Sequence, residues 1–464
     1  MIYRISASKD TTLDSGALDA NSGQSEILYI GTVRKNEKVA TTAPAATASI
    51  YRSIIKFGSP AVNYDLNEIA TLISGGYISS SAILTSSLHL FHAYSNDYAS
   101  TYDFKIKPVT ELWDEGNGFS MEGNDQGTAN WVYRNSSTTW AIAGGTTGAV
   151  PPALVFSTTH SVGDEDFNVD ISPIVTGWID ITVANRGLLI EASSEDTDTG
   201  SRVKGVYSRH TNTIFSPYID VCWDDRIRDD RKGLQNYSTD NKLYLYYRER
   251  GQDMNIPGLA SGDNVLLVKF RQLPTESAAS CSHASASWMQ KGIYRTDAIT
   301  VTSSVSGTVY DFWYSGSTPT LLATGTCSVQ PRSLGFLVDD EYNPLVVSMP
   351  NLEDRYHNSD LNQIEVFARK KYPTYTYATS SITELQSEIL YNASYSLYDY
   401  ETQFQVIPPS KFTAVSYNGT KNWFDFRFTG LPVNRGLYFE ILYNDRGIVH
   451  SERINKVFLI RDKD

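Results

Sequence analysis

The chain has 464 residues, 39 Lys plus Arg against 52 Asp plus Glu, and a formal charge of −13. That length exceeds what one hydrophobic core serves, so three domains are expected, and the acidic balance excludes a dedicated nucleic-acid grip, which needs a concentrated cationic face. With 30 Tyr, 18 Phe and 8 Trp, 12% of the sequence is aromatic; together with abundant Thr, Ser and Val, this favours pleated sheets over helices.

Ile2-Tyr-Arg-Ile5 opens as a short strand, with Tyr3 and Ile5 on one face and Ile2 and Arg4 on the other, before the turn-rich Asp14-Ser-Gly-Ala. Glu26 to Ile30 is the next strand, Ala40 to Ala48 a Thr/Ala/Pro-rich surface loop, and Ser49 to Phe57 resumes the sheet. From Asn63 to Ile73, Leu66, Ile69, Ala70 and Ile73 fall at three- and four-residue spacing ahead of Gly75-Gly76, which predicts one short helix with a glycine stop. Between Leu88 and Val221 short apolar or aromatic runs recur, each bounded by Gly, Asn or Pro, the punctuation of a many-stranded sandwich. The segment Asp224-Asp-Arg-Ile-Arg-Asp-Asp-Arg-Lys232 concentrates charges of both signs and predicts a solvated linker.

Beyond it, strands are predicted at Lys242–Tyr247, Asp263–Phe270, Gly292–Tyr294, Ile299–Val301, Val309–Tyr314 and Ser328–Pro331, enough for an immunoglobulin-sized sandwich. A third sandwich comes next, with strands at Leu345–Met349, Gln363–Arg369, Ser394–Asp399, Trp423–Phe428, Leu437–Tyr443 and Lys456–Ile460. Phe424, Phe426 and Phe428 alternate with Asp425 and Arg427, which predicts one buried and one wet face. The expected fold is therefore all-β: an N-terminal jelly-roll-like sandwich with one short helix (1–222), a charged linker (223–240), and two immunoglobulin-like sandwiches (241–332 and 333–464).

Chemistry-bearing patterns are sparse. Cys222, Cys281 and Cys327 are far apart and odd in number, so they are expected to be small buried hydrophobes rather than a disulfide framework or zinc knuckle. His89 and His92 have odd spacing, which would put them on opposite faces of a strand. Carboxylates cluster at Glu111, Asp114 and Glu115 and again at Asp164, Glu165 and Asp166. A glycosidase would need two of them facing across a sugar; a calcium ion would need six to eight oxygens, for which Asp164 and Asp166 are the candidates, although no Asp-x-Asp-x-Asp-Gly loop is present. Serine-elbow, phosphate-loop and dinucleotide motifs are missing, so no catalytic residue and no cofactor is expected. Met1 to Ser6 lacks a basic segment followed by an apolar core, and no run reaches the apolar length of a membrane span, so neither signal peptide nor membrane segment is expected.

Trp113-Asp-Glu-Gly, Trp131, Asp170-Ile-Ser-Pro-Ile-Val-Thr-Gly-Trp178, Asn185-Arg-Gly-Leu-Leu-Ile190 and Ser216-Pro-Tyr-Ile-Asp-Val221 resemble the DNRLRE-type β-sandwich family over residues 1–222. The resemblance implies a non-catalytic jelly-roll-like module of surface, adhesive and carbohydrate-associated proteins, with Trp113, Trp131, Trp178, Asn185, Gly187 and Pro217 as its packing signature. The later portion, at Gly292 to Asp297, Asp311 to Gly316, Ser394 to Asp399, Val406-Ile-Pro-Pro409 and the strand at Trp423, is similar in order to structural proteins of tailed bacteriophages. That implies a virion component made in the host cytoplasm, at the neck, collar or tail, forming a ring or symmetric decoration with other virion proteins and copies of itself. A head fibre or capsid decoration protein, and a carbohydrate-binding surface protein that holds a host glycan, are the alternatives.

Overall fold

The structure is a computed structural model and describes residues 1–34, 48–58, 64–119, 128–145, 150–193, 195, 201–259, 261–272, 282–302, 305–315, 320–330, 344–372, 387–445 and 447–461. The expected loop at 40–47, Asn63, Cys281 and Pro331 lie outside the described residues.

Eleven strands build the N-terminal sandwich: β1 (Ile2–Asp14), β2 (Ile27–Arg34), β3 (Ala48–Phe57), β4 (Thr85–Leu90), β5 (His92–Ser95), β6 (Tyr102–Pro108), β7 (Phe156–His160), β8 (Phe167–Asp170), β9 (Leu188–Ala192), β10 (Arg202–Tyr207) and β11 (Tyr218–Cys222). β1 serves both layers. Its first half pairs antiparallel with β11, Ile2 opposite Cys222 to Ser6 opposite Tyr218, and its second half pairs with β3 from Ala7 to Asp14 after a register shift between Ala7 and Lys9. An irregularity of this kind bends and twists a strand, which lets one strand leave the layer β1-β11-β4-β8 and enter the layer β5-β10-β2-β3-β1. Tyr3, Ile5, Phe57, Leu88, Phe104, Phe167, Ile190 and Val221 fill the space between.

Two helices cover this core. The expected one, α1 (Tyr64–Ser74), buries Leu66 and Ile69 and stops at Gly76 (φ +78°), with Gly76 N–H donating to Ile73 O and Tyr77 N–H to Leu72 O. Left-handed glycine at a helix end satisfies carbonyls that the helix leaves open. The second, α2 (Ser172–Ile179), lies within the Leu88 to Val221 stretch whose apolar runs predict a many-stranded sandwich. Pro173 fits a first helical turn, the Asp170 carboxylate accepts from Ser172 N–H at 2.9 Å, and Ile174, Val175, Trp178 and Ile179 are buried. A helix this short and apolar around much of its surface carries little periodicity.

The middle domain holds β12 (Leu234–Gln235), β13 (Tyr244–Tyr246), a small hairpin of β14 (Arg248–Glu249) and β15 (Gln252–Asp253), β16 (Leu266–Arg271), β17 (Ser282–Gln290), β18 (Ile293–Thr296), β19 (Gly307–Ser315) and β20 (Thr320–Gln330). Its seven-stranded sheet, ordered β12-β20-β19-β16-β17-β18-β13, packs around Trp313, Tyr294, Val268 and Cys327. Ile299, expected in a strand, makes only an isolated bridge to Asn241.

The C-terminal domain comprises β21 (Leu345–Ser348), β22 (Arg355–His357), β23 (Leu361–Lys370), β24 (Tyr391–Asp399), β25 (Gln405–Ile407), β26 (Ser416–Tyr417), β27 (Asn422–Arg427), β28 (Gly436–Asp445), β29 (Ile448–Arg453) and β30 (Phe458–Arg461). A sheet β21-β23-β27-β26 faces a sheet β22-β30-β28-β24-β25, with β29 attached to β28, over a core of Phe424, Phe426, Phe428, Phe439 and Phe458. The three phenylalanines of the β27 stretch are buried as the alternation predicts, but the opposite face is not uniformly wet. Arg427 is 7% exposed because the N-terminal sandwich covers it: its guanidinium bonds Glu68 of α1 and lies 4.9 Å from the Tyr3 ring.

The joints between the domains are built from buried charge. Arg4 of β1 sits in register opposite Asp220 of β11, donates Nε to Oδ1 at 2.9 Å and Nη2 to Oδ2 at 3.2 Å, and stacks 3.6 Å from the Tyr218 ring. Nη2 also reaches Val406 O of the C-terminal domain at 3.2 Å. Phe91, Phe215 and Phe404 close the same joint, with Phe215 and Phe404 edge to face at 5.2 Å. The expected solvated linker is buried in its middle, with Ile227 2%, Asp229 2% and Asp230 6% exposed, while Asp224, Arg226 and Lys232 face solvent. It runs beside β26 with paired backbone bonds, Tyr417 N–H to Ile227 O at 2.8 Å and Asp229 N–H to Tyr417 O at 2.9 Å, while Arg231 grips Asp311 of the middle sheet at 2.7 Å. Its buried charges, Asp229, Asp230 and the partly buried Arg231, are spent on protein partners, so this part of the mixed-charge run acts as a staple.

Removing one member of a buried ion pair strands the other, at roughly 3 kcal/mol or more. Arg4→Ala is therefore expected to lower the denaturant midpoint markedly, and Arg4→Met combined with Asp220→Asn to lose much less than the sum of the two singles. Additive losses in urea unfolding would contradict the coupling.

Candidate functional site

The packing signature divides between two cores. Trp113 joins Leu13, Ile54, Val109, Ala129, Trp140 and Leu189 in a small cluster outside the main core, with Trp131 packed against it. Trp113 Nε1 donates to Arg186 O at 2.8 Å, and Trp140 Nε1 to Asn130 O at 2.8 Å. The Arg52 guanidinium lies 5.0 Å from the Trp131 ring and donates to Glu195 and to Gly144 O, so the loop's second tryptophan is held by a cation over its face. Trp178 belongs to the main core through α2. Asn185 Nδ2 donates to Phe57 O at 2.9 Å, and Gly187 adopts φ +101° where an added Cβ would stand 2.5 Å from Ile55 O, so only glycine fits. Pro217 O accepts from Ala7 N–H at 3.0 Å, where β1 changes layers. Trp140, part of the same cluster, was not among the sequence candidates.

Each carboxylate near Trp113 has its own partner. Glu111 pairs with Arg134 at 3.3 Å, Asp114 is exposed 3.6 Å from Lys9, and Glu115 takes Arg209 through both oxygens at 2.6 Å. Glu115 Oε1 also accepts the Asp10 backbone N–H at 2.8 Å and stands 3.7 Å from His210 Nε2. Burial pushes the Asp10 carboxyl up to about 7, with Glu115 adding to the effect. Asp10, Glu115 and His210 are the set of three ligand-type side chains that converge among the described residues.

Asp164 and Asp166 do not enter such a set. Both are exposed, and the Asp166 carboxylate accepts His92 N–H at 2.6 Å. Beneath them lies the chain's own cation: Lys204 of β10 is 0% exposed, its ammonium bonds Glu165 O and stands 2.7 Å from His160 Nδ1. Burial pulls this lysine down to about 8 against the opposing pull of Asp166, Glu165 and Asp164. His160 falls to about 4, by burial first and by Lys204 second. His89 and His92 lie on successive strands, β4 and β5, with Phe91 between them, rather than on opposite faces of one; His89 stacks on Tyr218 at 4.7 Å. Of the cysteines, Cys327 is buried and donates to Asp311 at 3.4 Å, and Cys222 is half-buried.

A cleft of about 750 Å³ opens where the three domains meet. Tyr77 and Ile83 line it from the N-terminal sandwich, Trp288 and Arg295 from the middle one, Phe412 and Lys411 from the C-terminal one, and Arg226 and Arg228 from the connecting segment. Trp288 is fixed by an Nε1 bond to Asn255 Oδ1 at 3.0 Å. Aromatic faces beside cations and carboxylates can hold a polar ligand such as a sugar.

No protein-family model matches the sequence, and no curated protein does. Among solved structures, the chain is similar to two of titin: a structure titled as an anomalous substructure of Titin-A168169, at 9% identity and TM-score 0.17, covering 52% of this chain and 96% of that one; and domains A168-A170 from titin, at 10% identity and TM-score 0.16, covering 52% and 63%. Likenesses this low leave the functional reading to the site itself. No described helix is long and apolar enough to cross a membrane.

The Lys204–His160 pair gives a signed pH dependence. His160 has its folded pKa below the unfolded value, so the unfolded chain takes up the proton first and stability falls as pH drops from about 6.5 towards 4. On the order of 2–3 kcal/mol is expected to be lost across that window. Urea midpoints between pH 7 and 4.5 report it; His160→Gln should flatten the profile, and an unchanged slope in that variant would contradict the assignment.

Proposed function

We propose that the chain is a non-enzymatic structural protein of a tailed-bacteriophage virion, a neck, collar or tail-associated component that assembles as a ring or symmetric decoration. The observation that carries this reading is the construction of its joints. Chains of sandwiches on solvated tethers swivel, and relative domain motion is the default where an interface is small and polar. Here buried charge ties the N-terminal sandwich to the C-terminal one at Arg4–Val406 and Arg427–Glu68, and the connecting segment to the middle one at Arg231–Asp311. A chain so tied suits spacing and clamping of neighbours. The resemblance of residues 1–222 to DNRLRE-type modules, and of the later sandwiches to tailed-phage structural proteins, supplies the setting. The partners are other virion proteins and further copies of this chain; a head fibre or capsid decoration protein is the nearest variant.

Strand β29 offers a contact element. Among the described residues it pairs only with β28, and its Ile448 and Val449 are 60% and 68% exposed. An open edge with apolar side chains is a template for another strand.

Mass spectrometry of gradient-purified virions is expected to find the chain at a fixed ratio to the other particle proteins; its absence from them would end this reading. Val449→Lys, at a position too exposed to matter for folding, should lower incorporation several-fold.

A carbohydrate-binding surface protein is the second reading, and the cleft beside Trp288 is the observation in its favour. It predicts binding on a polysaccharide array that Trp288→Ala abolishes. An array without signal removes it.

A further inference from the structure

We propose that Asp10, Glu115 and His210 form a binding site for one divalent transition-metal ion of zinc-like preference, which fastens the Trp113 loop to the sheet beneath it. The three side chains come from β1, from the loop after Trp113 and from the turn after β10, and their nearest ligand atoms all lie within 4.8 Å of one another.

Two atoms of this set are bare. Asp10 is 0% exposed, and although its Oδ2 accepts Arg209 N–H at 2.6 Å, its Oδ1 has no hydrogen-bond partner. His210 Nε2 is likewise buried and without one. A buried carboxylate oxygen and a buried imidazole nitrogen are costly to leave unmatched, and both are relieved by a Lewis acid between them. The imidazole ring lies between the Glu115 carboxylate, 3.7 Å from Nε2, and the Gly23 backbone. In a ligating histidine the ring nitrogen away from the metal is usually held by such a neighbour.

The spacing is close to that of a filled site. Ligand atoms at roughly 2.0 Å from a tetrahedral ion stand about 3.3 Å apart, and His210 Nε2 and Glu115 Oε1 are already at 3.7 Å. Glu115 Oε1 would turn to the ion and release Arg209 Nε, while Oε2 keeps Arg209 Nη2, which now bonds it at 2.6 Å. Water completes the fourth position. Two carboxylates and one imidazole select for zinc and its neighbours over calcium, which takes six or more oxygens. The two carboxylates outweigh the one guanidinium, so the entering dication meets net negative charge.

The test uses the full, untagged chain, stripped with EDTA and dialysed, then titrated with zinc chloride. One zinc per chain is expected after desalting, with a rise of about 5 °C in the first melting transition at saturating zinc. His210→Ala should lower zinc affinity at least tenfold; His210→Gln, closer to the ring in size, guards against a folding defect, and far-ultraviolet circular dichroism checks both. No zinc retained by the wild-type chain, equal retention by folded His210 variants, or a calcium-induced shift as large as that of zinc would each overturn the proposal.

Discussion

Arg4 is the group on which the arrangement of the N-terminal and C-terminal sandwiches depends. It is 5% exposed on the first strand of the chain, and a guanidinium does not shed its charge, so every donor direction there must be met. Antiparallel register supplies the first partner: Arg4 faces Asp220 across β1 and β11. The Tyr218 ring covers the flat face, and Val406 O, from the far end of the sequence, takes a remaining donor. One ion is thus shared between closure of the N-terminal sandwich and docking of the C-terminal one. Rotating the latter away would strip an acceptor from a buried cation, and the close approach of Gly430, whose added Cβ would lie 2.5 Å from Arg4 O, leaves little room to slide.

The same device recurs with other residues. Arg231 meets Asp311, which is 0% exposed and also accepts from Trp313 Nε1 at 2.7 Å. Arg427 meets Glu68 over the Tyr3 ring. Apolar contacts of equal area would stabilise such joints at least as well, since desolvating a charge offsets much of its attraction. What the ion pairs add is direction: a bidentate guanidinium tolerates one approach of its carboxylate, whereas a greasy patch tolerates many. For a chain of three sandwiches, orientation is the quantity that needs fixing.

Strands whose side chains alternate were legible in the sequence, because one wet face and one dry face leave a period of two; β23, β27 and β28 are of this kind. Helix α1 was legible for the matching reason, with its glycine stop. Helix α2 was not, being apolar on most sides, and β17, with its Ser-His-Ala-Ser-Ala-Ser run, lacks the bulky residues that announce a strand. The burial of Arg427 and of Asp229 was hidden because charge in a sequence reads as solvent, and only tertiary contact shows a partner. The candidate site was half visible. Glu115 stood out beside Trp113, but Asp10 lies 105 residues away and Arg209 94 away, brought together by strand pairings that no local spacing encodes. Gly187 was legible as part of a motif, and the reason for it, a carbonyl where a Cβ would go, was not.

Each cation committed to a joint takes a carboxylate with it, so the chain's net charge of −13 is left to its remaining surface. Copies of such a protein repel one another at long range, an effect that physiological salt screens beyond about 8 Å. In the proposed assembly, self-association gains nothing from net charge. Groups that carry no charge can supply it, and open backbone at the β29 edge, with Ile448 and Val449 beside it, is one such element. Long-range repulsion combined with a short-range backbone contact disfavours random aggregation and favours a contact made only when the edges are aligned, which is the behaviour an ordered ring or decoration needs.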